Sequence, residues 1–169
     1  MIKINNIILI SLVLLTSCGF KKANQISNEK FTIAEVEITG EKRLGNMIKN
    51  EVMLSSGKNS VNLLYLDIDV AKNKRVKERD EKNKITKYEI ELITSVAISN
   101  NKNGDKSDYN FSNVSEYVVK ENYSDTLKNE KTALNTLIKR TSSDINRNLN
   151  LDYLNKWFLK ATKLEKILK

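Results

Sequence analysis

The chain contains no histidine and no proline, only one cysteine and five glycines, and few aromatic residues, 7% of the total. Each shortage removes a class of chemistry. Without histidine there is no Ser-His-Asp or Cys-His nucleophilic scheme, no common His-based zinc site and no ordinary near-neutral proton shuttle. The glycines form neither a phosphate-cradling loop nor a dinucleotide fingerprint at a strand-to-helix junction, so nucleotide-dependent chemistry loses its usual support. A single cysteine forms no disulfide within the monomer, and stability has to come from a packed core.

What is present suits one modest domain. The 169 residues are 40% apolar and 30% charged, enough for one core beneath a heavily solvated surface, with an α+β domain as the default. The balance of 29 Lys and Arg against 21 Asp and Glu gives a net charge of +8. Such a surplus favours polyanionic partners: anionic lipid, phosphate-bearing glycolipid or nucleic acid. Nucleic acid is opposed by the export signal described next and by the lack of an aromatic and basic RNA-binding motif.

Residues 1–17 read as a lipoprotein signal peptide. Lys3 supplies the positive start, and the apolar run Ile7-Ile8-Leu9-Ile10-Ser11-Leu12-Val13-Leu14-Leu15 is too short to span a bilayer, which takes about 20 residues. Its end, Leu15-Thr16-Ser17-Cys18, resembles a bacterial lipobox. A lone cysteine is otherwise most often a small buried hydrophobe, a reading that the abutting apolar run disfavours. The resemblance implies cleavage before Cys18 and acylation of its sulfur and amino group, with no other cofactor expected. Several acyl chains anchor firmly, since each buried CH₂ contributes roughly 0.8 kcal/mol. Gly19 rather than Asp after the cysteine resembles the pattern exported to the outer membrane. Residues 18–30 then read as a lipidated tether.

Periodicity organises the rest. Phe31 to Ile38 alternates as a half-buried strand, Thr39-Gly40 turns the chain, and Leu44, Met47, Ile48 and Val52 recur at helical spacing, with Gly57 placed as a C-terminal cap. Val61 to Val70 sets Leu64, Leu66, Ile68 and Val70 on one strand face and Asp67 and Asp69 on the other. Tyr88 to Ile98 repeats that pattern, with Glu89 and Glu91 outward. Between them Ala71 to Lys84 is dense in charge without an apolar stripe, as expected of a long hairpin connection or of the frayed ends of two strands that outrun the sheet. Asn100 to Asp105 should turn the chain into a fourth strand, Tyr109 to Val119. Ser124 or Asp125 can cap a second helix with the stripe Leu127, Leu134, Leu137, Ile138, Ile145 and Leu149. Asn150 to Asp152 should interrupt or kink it. Residues 151–169 then form an amphipathic helix with Leu154, Trp157, Phe158, Ala161, Leu164 and Leu168 on one side and five lysines around the rest. That stripe reads first as core packing and second as a membrane-surface or partner helix.

The order strand, helix, strand, strand, strand, long helix behind Cys18-Gly19-Phe20 is similar to the LPS-assembly lipoprotein family (LptE-type), the lipoprotein partner of the outer-membrane lipopolysaccharide translocon barrel. The likeness runs from about Leu15 to Leu149 and is carried by the lipobox, the Leu-rich strand from Leu63, the charged hairpin, Tyr88-Glu89-Ile90-Glu91-Leu92, Tyr109-Asn110-Phe111 and Ala133-Leu134-Asn135-Thr136-Leu137-Ile138. The segment after Leu151 departs from the pattern. The resemblance implies an α+β domain over residues 31–150, a four-stranded mixed sheet with two helices packed on one face, here followed by the C-terminal amphipathic extension. It also implies a non-enzymatic plug inside the barrel, lipid-anchored in the outer membrane and facing the periplasm or the lumen, with the barrel, lipopolysaccharide and the membrane as partners.

Within that frame Lys72, Lys74, Arg75, Lys77 and Arg79 are the candidate lipopolysaccharide contacts, because clustered ammonium and guanidinium groups suit phosphate recognition. The competing view is a solvated loop neutralised by Glu78, Asp80 and Glu81. Two further functions stay in play: a periplasmic ligand-binding or transporter-accessory lipoprotein on the same scaffold, and an enzyme using Asp67 with Asp69 or Glu89 with Glu91. The last is disfavoured, because each pair shares an exposed strand face with nothing apolar nearby to raise a carboxyl pKa.

Overall fold

The computed structural model describes residues 31–57, 60–100, 104 and 106–167, with side chains as far as Leu151. The signal peptide, Cys18, the tether, most of the Asn100–Asp105 turn and the side-chain stripe from Leu154 to Leu168 lie outside the described residues. The elements are β1 (Thr32–Gly40), α1 (Lys42–Met53), β2 (Leu63–Arg79), β3 (Ile85–Ser99), β4 (Lys106–Val118) and α2 (Tyr123–Ile167). The sheet order is β1-β2-β3-β4, with β1 parallel to β2 and the other pairings antiparallel. Both helices pack on one face, giving the α+β architecture expected: a four-stranded mixed sheet, two helices and a helical C-terminal extension.

Period-two alternation puts Leu66, Ile68, Val70, Ile90, Leu92, Val96 and Ile98 on the helix side, each no more than 1% exposed. Onto them α1 lowers Leu44, Ile48 and Val52, and α2 lowers Leu137, Ile145 and Leu149. The two helices also touch each other, the buried Ser142 hydroxyl donating to the Ile48 carbonyl. Leu127, placed in the stripe from sequence, is half exposed, and the helix instead contacts the core from Ala133 onward.

The parallel β1-α1-β2 unit turns on two glycines. Gly40 has φ +71°, and a Cβ there would fall 2.2 Å from the Val70 carbonyl oxygen, so only glycine can end β1 in this place. The Glu41 amide then donates to that same carbonyl at 2.8 Å. Gly45 lets α1 sit against the sheet, since a Cβ would lie 2.4 Å from Ile38 Cγ2.

Several local expectations are corrected. Gly57 is not a left-handed helix cap: α1 ends at Leu54 with right-handed backbone, while the Gly57 amide donates to the Phe31 carbonyl and its own carbonyl accepts from the Thr32 hydroxyl. The cap of α2 is Asn122, whose Oδ1 accepts from the Ser124 amide at 3.1 Å, rather than Ser124 or Asp125. Helix α2 also passes through Asn150 to Asp152 without a break, so residues 151–167 continue it. Asn148 and Asn150 turn their amide groups back to the carbonyls of Asp144 and Asn146, bonds that leave the helical ladder in place.

The largest correction concerns Ala71 to Lys84, which does outrun the first strand but is neither a long loop nor frayed. Strand β2 continues to Arg79 and pairs with β3 throughout. The turn is short: Asp80 Oδ1 accepts from the amides of Lys82 and Lys84, and Asn83 takes the left-handed conformation at φ +62°. Periodicity could not reveal this strand because every side chain from Ala71 to Arg79 is exposed.

Gly45→Ala provides a test of the close packing of α1. In an exposed helix this change stabilises, by roughly 1 kcal/mol. Here the clash with the stiff β-branched Ile38 should reverse the sign and cost about 1–3 kcal/mol. A lowered urea midpoint with an unchanged m-value is the expected result.

Candidate functional site

The five basic residues fall on both faces of β2, because successive side chains of a strand alternate. Lys72 and Lys74 share the parity of Val70 and lie on the helix side, whereas Arg75 and Lys77 lie on the open side. Lys74 extends over the rings of Tyr88 and Tyr117, 4.5 and 5.2 Å from their centroids, and donates to Glu130 of α2 at 3.3 Å. Tyr117 stacks on Tyr88 and donates its hydroxyl to the same carboxylate at 3.2 Å. This node ties the base of the hairpin to α2. Burial disfavours the charge on Lys74, but the hydrogen bonds to Tyr117 and Glu130 outweigh it and lift its pKa above that of an ordinary lysine. The Tyr117 phenol is also raised, first by burial.

On the open side Arg75, Glu89 and Glu116 stand directly across three strands. The Glu89 carboxylate, 8% exposed, pairs with Arg75 and with Lys77 at 3.3 Å, and Lys77 bridges on to Glu116. Arg79 donates to the Asn83 carbonyl at 2.9 Å in the turn. Lys72 has no ion pair among the described residues. The partners of the basic residues are therefore Glu89, Glu116 and Glu130 rather than Glu78, Asp80 and Glu81; Glu78 pairs with Lys87 at 2.9 Å. Side-chain exposure still leaves Arg75 at 72% and Lys77 at 42%.

The remainder of the open face carries polar cross-strand pairs beside the exposed Ile93 and Val114, and no described element covers it. Asp67 pairs with Lys106, and Thr39 donates to Asp69 at 2.6 Å. Glu91 accepts from Ser112 at 2.8 Å and from Asn73 at 3.4 Å, and Ser95 donates to Asn110 at 2.7 Å. The Ser112 and Asn73 bonds hold the Glu91 carboxyl below the usual glutamate range, and Lys77 does the same for Glu116. Lys106 is raised by its bond to Asp67. Every shift on this face favours the charged form, the opposite of what a general acid would need. The described residues include no group of acidic or cysteine side chains that could hold a metal ion. A depression at one corner, lined by Glu35, Glu37, Tyr65, Asp67 and Lys106, amounts to about 180 Å³, below the ~300 Å³ at which small-molecule pockets usually begin.

Periodicity puts Asp67, Asp69, Glu89 and Glu91 on the face where they are found, although Glu89 is buried rather than exposed, and it gives no sign of Glu116 and Glu130. Their distance from the hairpin, 39 residues from Lys77 and 56 from Lys74, leaves no local signal. Cys18 lies outside the described residues.

No family model matches the chain, and no curated protein matches it in sequence. The fold, by contrast, is shared with bacterial lipoproteins. Rare lipoprotein B from Shewanella oneidensis superposes with a TM-score of 0.55 at 8% identity, over 72% of this chain and 97% of that one. A Caulobacter crescentus protein described as a lipoprotein gives 0.55 at 9% identity, over 79% and 96%. The shared fold takes in nearly the whole of both neighbours.

The lowered carboxyl pKa values set a pH dependence. A depressed folded-state pKa adds stability above the unfolded value, which for Glu91 and Glu116 is 4.5, and that stability is lost as pH falls through the folded value. Urea midpoints should therefore hold steady from pH 7 down to about 5 and decline below 4.5. Removing both carboxyls in Glu91→Gln with Glu116→Gln should flatten the decline.

Proposed function

We propose that this chain is a non-enzymatic lipoprotein, anchored through lipid on Cys18 in the outer membrane, that plugs and helps assemble the lipopolysaccharide-export β-barrel. The observation that carries this reading is the lipobox-like Leu15-Thr16-Ser17-Cys18 standing ahead of a body with the fold of rare lipoprotein B. The resemblance noted at Tyr88 to Leu92 and Ala133 to Ile138 supplies the barrel as partner. The open sheet face supports the role physically. A plug in a wet lumen needs a rigid polar surface, and a ladder of paired charges and hydroxyls on three antiparallel strands supplies one.

Lipopolysaccharide is the second proposed partner. Its phosphates would meet Lys72, Lys74, Arg75, Lys77 and Arg79 along the hairpin. Arg75 and Lys77 are 72% and 42% exposed, so a phosphate can share these cations while they stay paired with Glu89 and Glu116. Lys72, without an ion pair among the described residues, is the most readily engaged of the five. The chain works by binding and scaffolding, and the engagement of its outward carboxylates in cross-strand bonds favours this over acid and base catalysis.

Pull-down of tagged full-length protein from detergent-solubilised native membranes, with Cys18→Ala as the mislocalised control, checks the central claim. A large outer-membrane β-barrel recovered in roughly equal amount is expected. An inner-membrane transporter, or no stoichiometric partner, would replace the plug with the transporter-accessory or stand-alone binding lipoprotein. For the glycolipid, replacing the five basic residues with Ser or Gln should weaken lipopolysaccharide binding at physiological salt, and unchanged affinity would remove the hairpin from the site.

A further inference from the structure

Strand β2 carries a bare edge. Pairing with β1 ends at Gly40 opposite Val70, yet β2 continues for nine more residues to Arg79. On its other side those residues remain hydrogen-bonded to β3, and β3 in turn to β4 as far as Lys87. The direction of each backbone group follows from two bonds. The Val70 carbonyl accepts from the Glu41 amide and the Asn62 carbonyl from the Thr32 amide, so even-numbered residues of β2 present their backbone to the β1 side. A residue's amide and carbonyl point to the same side of a strand. Lys72, Lys74 and Val76 therefore turn three donors and three acceptors toward the space that β1 vacates. Among the described residues no backbone group there finds a partner.

Other edges of the sheet are treated differently. On β4 the outward carbonyls of Val118 and Val114 accept from the side chains of Asn129 and Arg140 of α2. At the start of β1 the Ile33 amide donates to Ser56 Oγ and the Phe31 carbonyl accepts from Gly57. Among the described residues the β2 edge has no such cover; Lys72, Arg75 and Lys77 lie along it, and Lys42 and Arg43 are exposed beside Glu41 where the chain passes from Gly40 into α1.

We infer that residues 71–77 of β2 accept an extended acidic segment of a partner protein as an added strand on this edge. Main-chain bonds to Lys72, Lys74 and Val76 supply the affinity, and the surrounding cations select glutamate or aspartate on either face. A second copy of this chain is disfavoured as the occupant, because antiparallel pairing of two such edges about Lys74 sets Lys74 against Lys74. The inference goes beyond the lipopolysaccharide reading of the hairpin. It concerns backbone groups, so it fails or holds separately from the glycolipid and pull-down experiments.

The test uses full-length protein in detergent micelles and two capped octapeptides, one alternating threonine with glutamate and one alternating threonine with lysine. The acidic peptide should slow hydrogen exchange at the amides of Lys72, Lys74 and Val76, leaving Asn73 and Arg75, already bonded to β3, little changed. The basic peptide should leave all five amides unchanged. Lys72→Pro removes an outward amide without breaking the β3 ladder and should weaken the acidic peptide about tenfold, the loss of one backbone hydrogen bond, at an unchanged unfolding midpoint. Lys72→Gln, which keeps the amide, should weaken it less. No protection of the three outward amides at saturating peptide overturns the proposal, even if the proline variant fails to fold. Equal binding of both peptides also overturns it, as does protection that appears on concentrating the protein without peptide, which would mark a second copy.

Discussion

The contact on which the molecule's layout depends is the approach of Gly40 to the carbonyl oxygen of Val70, closer than any Cβ would allow. It stops β1 there, in a left-handed conformation open to glycine, and hands the chain to α1 through the Glu41 amide. Two consequences follow. The crossover helix is delivered to the same face that α2 covers, so one side of the sheet holds the core and the other is covered by no described element. Strand β2 outruns β1, so the hairpin from Ala71 to Ile93 extends past the first strand with one flank open.

The hairpin would be a weak extension without support, since an isolated two-stranded ribbon is marginal in water. Its support comes from three directions. Strand β4 pairs with β3 as far as Lys87. The Lys74, Tyr88, Tyr117 and Glu130 node fastens its helix side to α2, combining ring stacking, a cation over two aromatic faces and a shared carboxylate. On the open side Lys77 lies between Glu89 and Glu116, two carboxylates that would otherwise repel across the ladder. Charges dense enough to suggest a loop thus become the cross-strand pairs of an ordered surface, which is what the proposed plug requires.

Much of the fold was legible because burial leaves a period. Strands with one dry face and one wet face alternate, and Leu64 to Val70 and Ile90 to Ile98 were read correctly for that reason. Helix α1 was read from its stripe, and the glycine at position 40 from the turn it had to make. The errors share a cause as well. The Ala71–Arg79 arm of the hairpin is exposed on both faces, so no period marks it, and the cap at Asn122 and the bonds of Gly57 depend on partners that local spacing does not name.

What the sequence determined by itself was therefore the chemistry and the order of parts: the exclusion of histidine-based catalysis, the lipobox-like cysteine, the two-layer pattern and the concentration of positive charge between Lys72 and Arg79. Tertiary structure decided how that charge is used. Register set Arg75 against Glu89 and brought Glu116 and Glu130 from 39 and 56 residues away, dividing five apparent phosphate ligands between two faces and pairing three of them. It also decided that β1 ends before β2 does. Partners across a sheet are chosen by strand register and helix docking, which depend on the summed packing of the whole core, whereas composition and periodicity report only what each segment does alone.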